Sequence, residues 1–211
     1  MTGFGRTGFP SALCSPLSTS LLACHHEGVQ PDFLALAKGL TGGYLPMAAT
    51  LTTQRVFDAF LGPYEEFKTF FHGHSFTANQ LGAAAALASL EILNSPVSVR
   101  GRLRLQRTLR DELQTLWALP QVGDIRQVGL VAGVELVKDW RTREPFHLRE
   151  QAGIGVCRLM AKRGVLTRPI GNVVVLMPPY CATAEQVRQI VGALREAALE
   201  TAKDECLMMK R

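Results

Sequence analysis

The chain has 211 residues, 47% hydrophobic and 19% charged, with 19 glycines and 11 prolines. That balance excludes a disordered chain, a collagen-like repeat and a small disulfide-stapled scaffold, and leaves a globular protein with a hydrophobic core. Twenty-three Lys and Arg against 18 Asp and Glu give a net charge of +5, which suits anionic small molecules and would suit a polyanion only if the excess were clustered.

No run of 18 apolar residues occurs, so no membrane span is predicted. Cys14, Cys24, Cys157, Cys181 and Cys206 are odd in number and scattered, without a C-x-x-C pair, and this usage points to a reducing cytoplasm. Cys24-His25-His26-Glu27 carries metal-ligating atoms, but neighbours on an extended chain point in alternating directions and no second cluster completes a site, so no metal is expected. The stretch from Phe9 to Cys24 resembles an export signal only faintly, since Pro10, Pro16 and several serines interrupt it.

In chain order, Phe33 to Ala37 reads as a short buried strand ending at Lys38, followed by a turn rich in glycine at Gly39, Gly42 and Gly43. Ala48 to Thr53 is a second strand and Thr53 to Phe60 a short helix. Asn79 to Leu93, with its alanines, is a strong helix that Asn94-Ser95-Pro96 ends. The change of character there predicts two domains, residues 1–93 and 94–211. Val99 to Leu116 forms a helix with an apolar stripe of Leu105, Leu109, Leu113 and Leu116; Arg100, Arg102, Arg104, Arg107 and Arg110 fan round it as a solvated face rather than a nucleic-acid patch.

Val128 to Leu136 alternates as one half-buried strand, Arg149 to Arg163 is helical, and Val165–Arg168 with Val173–Met177 form a hairpin about Pro169-Ile170-Gly171-Asn172. Thr183-Ala184-Glu185-Gln186 has the pattern of a capping box, and Val187, Ile190, Val191, Leu194 and Ala198 give the last helix its apolar side. Trp117, Trp140, Met177, Met208 and Met209 read as packing or tail residues.

A lysine at the end of an apolar strand must be solvated, paired, deprotonated or converted to an imine. Lys38 is therefore the first candidate for chemistry, although a strand-exit lysine alone is weak support. Three motifs in order strengthen it: Thr2-Gly3-Phe4-Gly5-Arg6-Thr7-Gly8, His26-Glu27-Gly28-Val29-Gln30-Pro31-Asp32 and Leu36-Ala37-Lys38-Gly39-Leu40-Thr41-Gly42-Gly43. Together they resemble the central region of the class III pyridoxal-phosphate aminotransferases. Within that family, Ala49 to Thr53, His72-Gly73-His74-Ser75-Phe76, Arg168-Pro169 and Leu176-Met177-Pro178-Pro179-Tyr180 are most similar to the branch that serves biotin synthesis. The resemblance runs from Thr2 to about Ala198.

The resemblance implies an α/β chain of fold type I: the end of the large cofactor domain followed by a small C-terminal domain. It implies pyridoxal 5'-phosphate as cofactor, held by Lys38, which also shuttles the proton of the reaction. It assigns His74 and Ser75 to the cofactor phosphate of the other subunit of a homodimer, Gly73 to the substrate, and Arg168 to the substrate carboxylate, a task suited to a planar guanidinium. Phe67, Phe70, Phe71 and Phe76 crowd the same stretch, as an intersubunit surface would. The implied reaction passes an amino group from S-adenosylmethionine to 8-amino-7-oxononanoate, giving 7,8-diaminononanoate; neither nucleic acid nor membrane is an expected partner.

Two departures from the family pattern accompany this. The family's aspartate that clamps the pyridine nitrogen lies just before the Thr2 motif, so the chain reads as N-terminally truncated, inactive by itself, and associated either with a second copy or with the missing N-terminal half. Residues 9–22 read as an insertion between the first two motifs. Val175 stands where some relatives carry tyrosine. Another class III ω-amino-acid aminotransferase, a non-catalytic remnant, and a remote RNA-binding module on Arg100 to Arg110 remain the alternatives.

Overall fold

The structure is a computed structural model that describes Leu22, Cys24 and residues 28–208, with side chains through Thr201. The Thr2 to Gly8 motif, His25 to Glu27 and the proposed insertion at 9–22 apart from Leu22 lie outside the described residues, as does the side chain of Cys206. The chain divides into two units, Met1–Val99 and Arg100–Arg211. The break falls within a helix, later than the Asn94 boundary, because Ser95 ties the end of one helix to the first turn of the next: its hydroxyl donates to the Ile92 carbonyl at 2.8 Å, and its own carbonyl accepts from Val99 N at 3.0 Å. Among the described residues no single helix is long and apolar enough to cross a membrane.

In the first unit, β1 (Phe33–Leu36) pairs antiparallel with β2 (Ala49–Thr52), Phe33 facing Thr52 and Leu36 facing Ala49. The expected burial of this strand is not found: Phe33 is 62% exposed and the strand alternates between exposed and half-buried positions. A ribbon of two strands has two open edges and little area to cover either face. The helix expected over Thr53–Phe60 is a five-residue α1 (Gln54–Asp58). The long α2 (Gln80–Asn94) starts at Asn79, whose side chain accepts hydrogen bonds from Leu81 N and Gly82 N. It buries only Gly82 and Ala86, leaving Leu81 and Leu87 exposed.

The second unit is built on α3 (Pro96–Gln114), β3 (Val122–Val128), β4 (Val131–Asp139), the two-residue β5 (Glu144–Pro145), α4 (Ala152–Lys162), β6 (Arg168–Ile170), β7 (Val173–Leu176) and α5 (Ala184–Met208). The sheet runs β3-β4-β7-β6 with β5 beside β4, every pairing antiparallel. On one face Ala132, Val134 and Leu136 of β4 lie beside Leu176 and Val174 of β7, and all five are buried with Leu105, Leu109 and Leu113 of α3, Val156 and Met160 of α4, and Val187, Val191 and Leu194 of α5. Helices on one face of an antiparallel sheet give the alternation its physical cause: the covered face must be apolar.

Four expectations are corrected in this unit. Val128 to Leu136 is not one strand; Gly129, at φ +62°, and Leu130 form a tight turn between β3 and β4, with Val128 opposite Val131. Both sides of that hairpin alternate, but the phase inverts across the two-residue turn, so Val128 is exposed whereas Ala132, Val134 and Leu136 are buried. The β6–β7 turn is Gly171-Asn172 alone, while Pro169 and Ile170 pair with Val174 and Val173. The arginine face of α3 is solvated except at Arg102, which is buried with its guanidinium 5.7 Å from the Tyr180 ring centre. Trp117 and Trp140 are about half exposed rather than core residues, Trp140 lying under the Arg141 guanidinium. The capping box at α5 forms as read: Gln186 N donates to Thr183 Oγ1 and Thr183 N to Gln186 Oε1.

Candidate active site

Lys38 opens a 3-10 turn (Lys38–Thr41) directly after β1 and adopts φ +53°, a left-handed conformation uncommon for any residue but glycine. Such strain persists only where surroundings hold it, and it concentrates at functional positions. Three contacts hold this turn. Gly42 N returns to the Gly39 carbonyl at 3.2 Å, the buried Thr41 hydroxyl donates to the Leu45 carbonyl at 2.6 Å, and Ser89 Oγ on α2 donates to the Gly39 carbonyl at 3.1 Å. Gly42 and Gly43, at φ +62° and +84°, carry the chain away from the lysine. The lysine is thus presented on an anchored turn with an exposed side chain.

The segment before α2 is held by local side-chain hydrogen bonds. Asn79 takes two of the first helical N–H groups, so neither Ser75 nor Thr77 caps α2. Thr77 Oγ1 instead accepts from His74 N at 3.2 Å, and His74 Nδ1 accepts from Phe76 N at 3.1 Å. With Nδ1 accepting, a neutral ring carries its proton on Nε2, which is then a donor. Gly73, His74 and Ser75 are exposed, and nothing lies within 4 Å of a Cβ built on Gly73. Phe67, Phe70, Phe71 and Phe76 are 66–79% exposed and make ring contacts with one another or with the two histidines: Phe67 tilted against Phe71, Phe70 stacked on His72, Phe76 tilted against His74.

The lysine turn is anchored at Ser89, nine residues along α2 from Gln80, so roughly 13 Å of helix separates that anchor from the end near His74. Ser89 was not singled out from sequence, yet a signal exists: Gly82, Ala86 and Ser89 repeat at helical spacing as small residues on one side.

Arg168 begins β6 in the second unit and is exposed; among the described residues it has no ion-pair partner. It lines an open cleft of about 370 Å³ with Leu166, Thr167, Val175 and Met177. The Thr167 hydroxyl donates to the Val175 carbonyl, tying the two strands that line the cleft. One cation among apolar side chains suits a carboxylate with a hydrocarbon tail. Met177 and Leu166 are the members that sequence reading missed, and Met177 is 40% exposed rather than packed.

The first unit thus carries an exposed lysine on an anchored glycine turn, and the second an exposed arginine in an open, largely apolar cleft. Residues 1–198 match the family model for class III aminotransferases. The chain belongs to this family, whose members are pyridoxal-phosphate enzymes. It is 46% identical over 95% of its length to the adenosylmethionine-8-amino-7-oxononanoate aminotransferase of Anoxybacillus flavithermus and 48% identical over 92% to that of Geobacter sulfurreducens. The crystal structure of the Methanocaldococcus jannaschii enzyme of the same name superposes with a TM-score of 0.79 at 41% identity, covering 86% of this chain and 42% of that one. An amine transaminase from an uncultivated Pseudomonas species, solved with pyridoxal phosphate, gives 0.77 at 34% identity, over 87% of this chain and 42% of that one. The α/β, fold-type I reading stands on these likenesses. The chain spans 42% and 41% of the two curated relatives.

The donor set here fits the family's cofactor in part: Lys38 offers the primary amine its aldehyde requires, on a backbone that is already fixed, and His74 Nε2–H and the Ser75 hydroxyl offer donors to a phosphate.

Proposed function

We propose that the protein to which this chain belongs moves an amino group from S-adenosylmethionine to 8-amino-7-oxononanoate, yielding 7,8-diaminononanoate for biotin synthesis. The observation that carries the reading is Lys38, held at φ +53° on a turn tied to α2. The substrate pair is supported by the names of the relatives at 46% and 48% identity. A transaminase from ancestral reconstruction and the Pseudomonas amine transaminase superpose about as well, with TM-scores of 0.80 and 0.77, but at 31% and 34% identity, so sequence rather than fold favours the first reading.

When bound, pyridoxal phosphate supplies an electron sink for the carbon that loses its proton. Lys38 Nζ would hold the cofactor and would move the proton to and from the substrate carbon. Arg168 grips the substrate carboxylate by paired charge-assisted hydrogen bonds, with the tail along Leu166, Val175 and Met177. Gly73 leaves room for substrate, and His74 and Ser75 donate to the phosphate held by the other subunit of a homodimer. The exposed phenylalanines nearby supply apolar area for the subunit contact. The unpaired thiols of Cys24, Cys157 and Cys181 suit a cytoplasmic enzyme.

The test is to incubate the chain with pyridoxal phosphate, fix it with borohydride and map the added mass. A single adduct on Lys38, absent in Lys38→Ala, supports the reading; label spread over the lysines, unchanged by that substitution, overturns it. For the complete protein, turnover with S-adenosylmethionine in preference to simple amines decides the donor.

A further inference from the structure

The second unit contains a contact with no ordinary packing role. Gly153, buried in the first turn of α4, lies so close to the β6–β7 turn that a Cβ on it would be 2.4 Å from the Gly171 carbonyl oxygen and 2.8 Å from Pro169 Cβ. Ordinary contact begins near 3.4 Å, so any side chain there must move one partner by about 1 Å. Gly155, two residues on in the same helix, meets nothing within 4 Å.

The helix is the firmer partner. Val156, Cys157 and Met160 bury it in the core, and Arg163 at its end binds Glu196 at 2.9 Å and Glu200 at 2.6 Å on α5. The hairpin is softer, because β6 is a three-residue edge strand paired only with β7. Its turn is nevertheless pinned at other points. Asn172 Nδ2 donates to the buried Phe146 carbonyl at 2.7 Å, and the Asn172 carbonyl accepts from Leu136 N at 2.9 Å. Pro169, against which Gly153 rests, is the residue next to Arg168.

We propose that Gly153 and Asn172 are positioning residues for carboxylate recognition: together they seat the β6–β7 turn and thereby set where the Arg168 guanidinium stands in its cleft. An edge strand β6 displaced by an ångström against β7 carries Arg168 out of line with Val175 and Met177, and a two-pronged grip loses its geometry before the fold loses its core. The proposal rests on the reading of Arg168 given above.

The test titrates the chain with heptanoate, a monocarboxylate with a short apolar tail, following the Arg168 side-chain nitrogen resonances. Arg168→Gln should abolish saturable binding in the cleft. Gly153→Ala should raise the dissociation constant about tenfold with the circular dichroism unchanged, and Gly155→Ala should bind as wild type. Wild-type affinity in Gly153→Ala, or an equal loss in Gly155→Ala, overturns the positioning role while leaving Arg168 as carboxylate ligand. Absence of binding to the wild type, or binding that survives Arg168→Gln, overturns the Arg168 reading and this proposal with it. If Gly153→Ala does not fold, Asn172→Ala, which removes a donor without adding volume, decides: about threefold weaker binding supports the role and unchanged binding overturns it.

Discussion

The hydroxyl of Ser89 reaches the carbonyl of Gly39 at 3.1 Å across fifty residues of sequence, fastening the turn that presents Lys38 to the middle of α2. The strained conformation of the lysine is therefore maintained from outside its own strand. Ser89→Ala should cost about 1 kcal/mol in a denaturant titration and should speed amide exchange at Gly42, whose N–H closes the same turn. Exchange unaltered from wild type would show that the turn stands without α2.

Asn79 satisfies two N–H groups at the start of α2, at 3.0 and 3.2 Å. Asn79→Ala should destabilise the first unit by about 1 kcal/mol, read as a lower melting temperature in a thermal scan. Asn79→Ser should recover most of that loss, since a serine oxygen reaches the same groups.

The Glu150 carboxyl is held below its usual value of 4.5, first by the Lys138 ammonium at 2.9 Å and then by the backbone N–H of His147. A carboxyl with a depressed folded-state value stabilises the fold fully above 4.5 and loses that contribution as the pH falls through its folded value. Wild type should therefore melt above Glu150→Gln at neutral pH, and the gap should close in acid well below 4.5. A gap independent of pH would assign the effect to packing.

Burial pushes the Cys157 thiol up from its usual range, whereas Cys181 is exposed. Only the thiolate reacts with alkylating agents. Iodoacetamide under native conditions should label Cys181 well before Cys157, with both labelled after denaturation; peptide mass spectrometry reads the order.

Leu109 is fully buried at the centre of the helix-on-sheet core. Leu109→Ala should cost about 2–5 kcal/mol, measured by equilibrium denaturation of the chain, whereas truncating Leu166, which is 88% exposed, should leave stability within about 0.5 kcal/mol.

The apolar stripe of α3, the capping box of α5 and the helix between Asn79 and Asn94 were legible in the sequence because each is a local pattern: a period, a cap or a stop is written within a few turns. The ordered motifs around Lys38 likewise carried the family. Tertiary structure alone decided what covers each face. The same arginine spelling left Arg104 in water and buried Arg102 under Tyr180; an alternating run from Val128 proved to be the corner of a hairpin, whose two-residue turn put Val128 on the face opposite Ala132 and Val134. Phe33 to Leu36 reads as core by composition, but a ribbon of two strands offers too little area to bury it. The close approach of Gly153 to Gly171 has no local signature, because a glycine required by a neighbour eighteen residues away is spelled like any other glycine. Local patterns thus set which residues want burial, and long-range packing set which of them obtained it and where Arg168 was aimed.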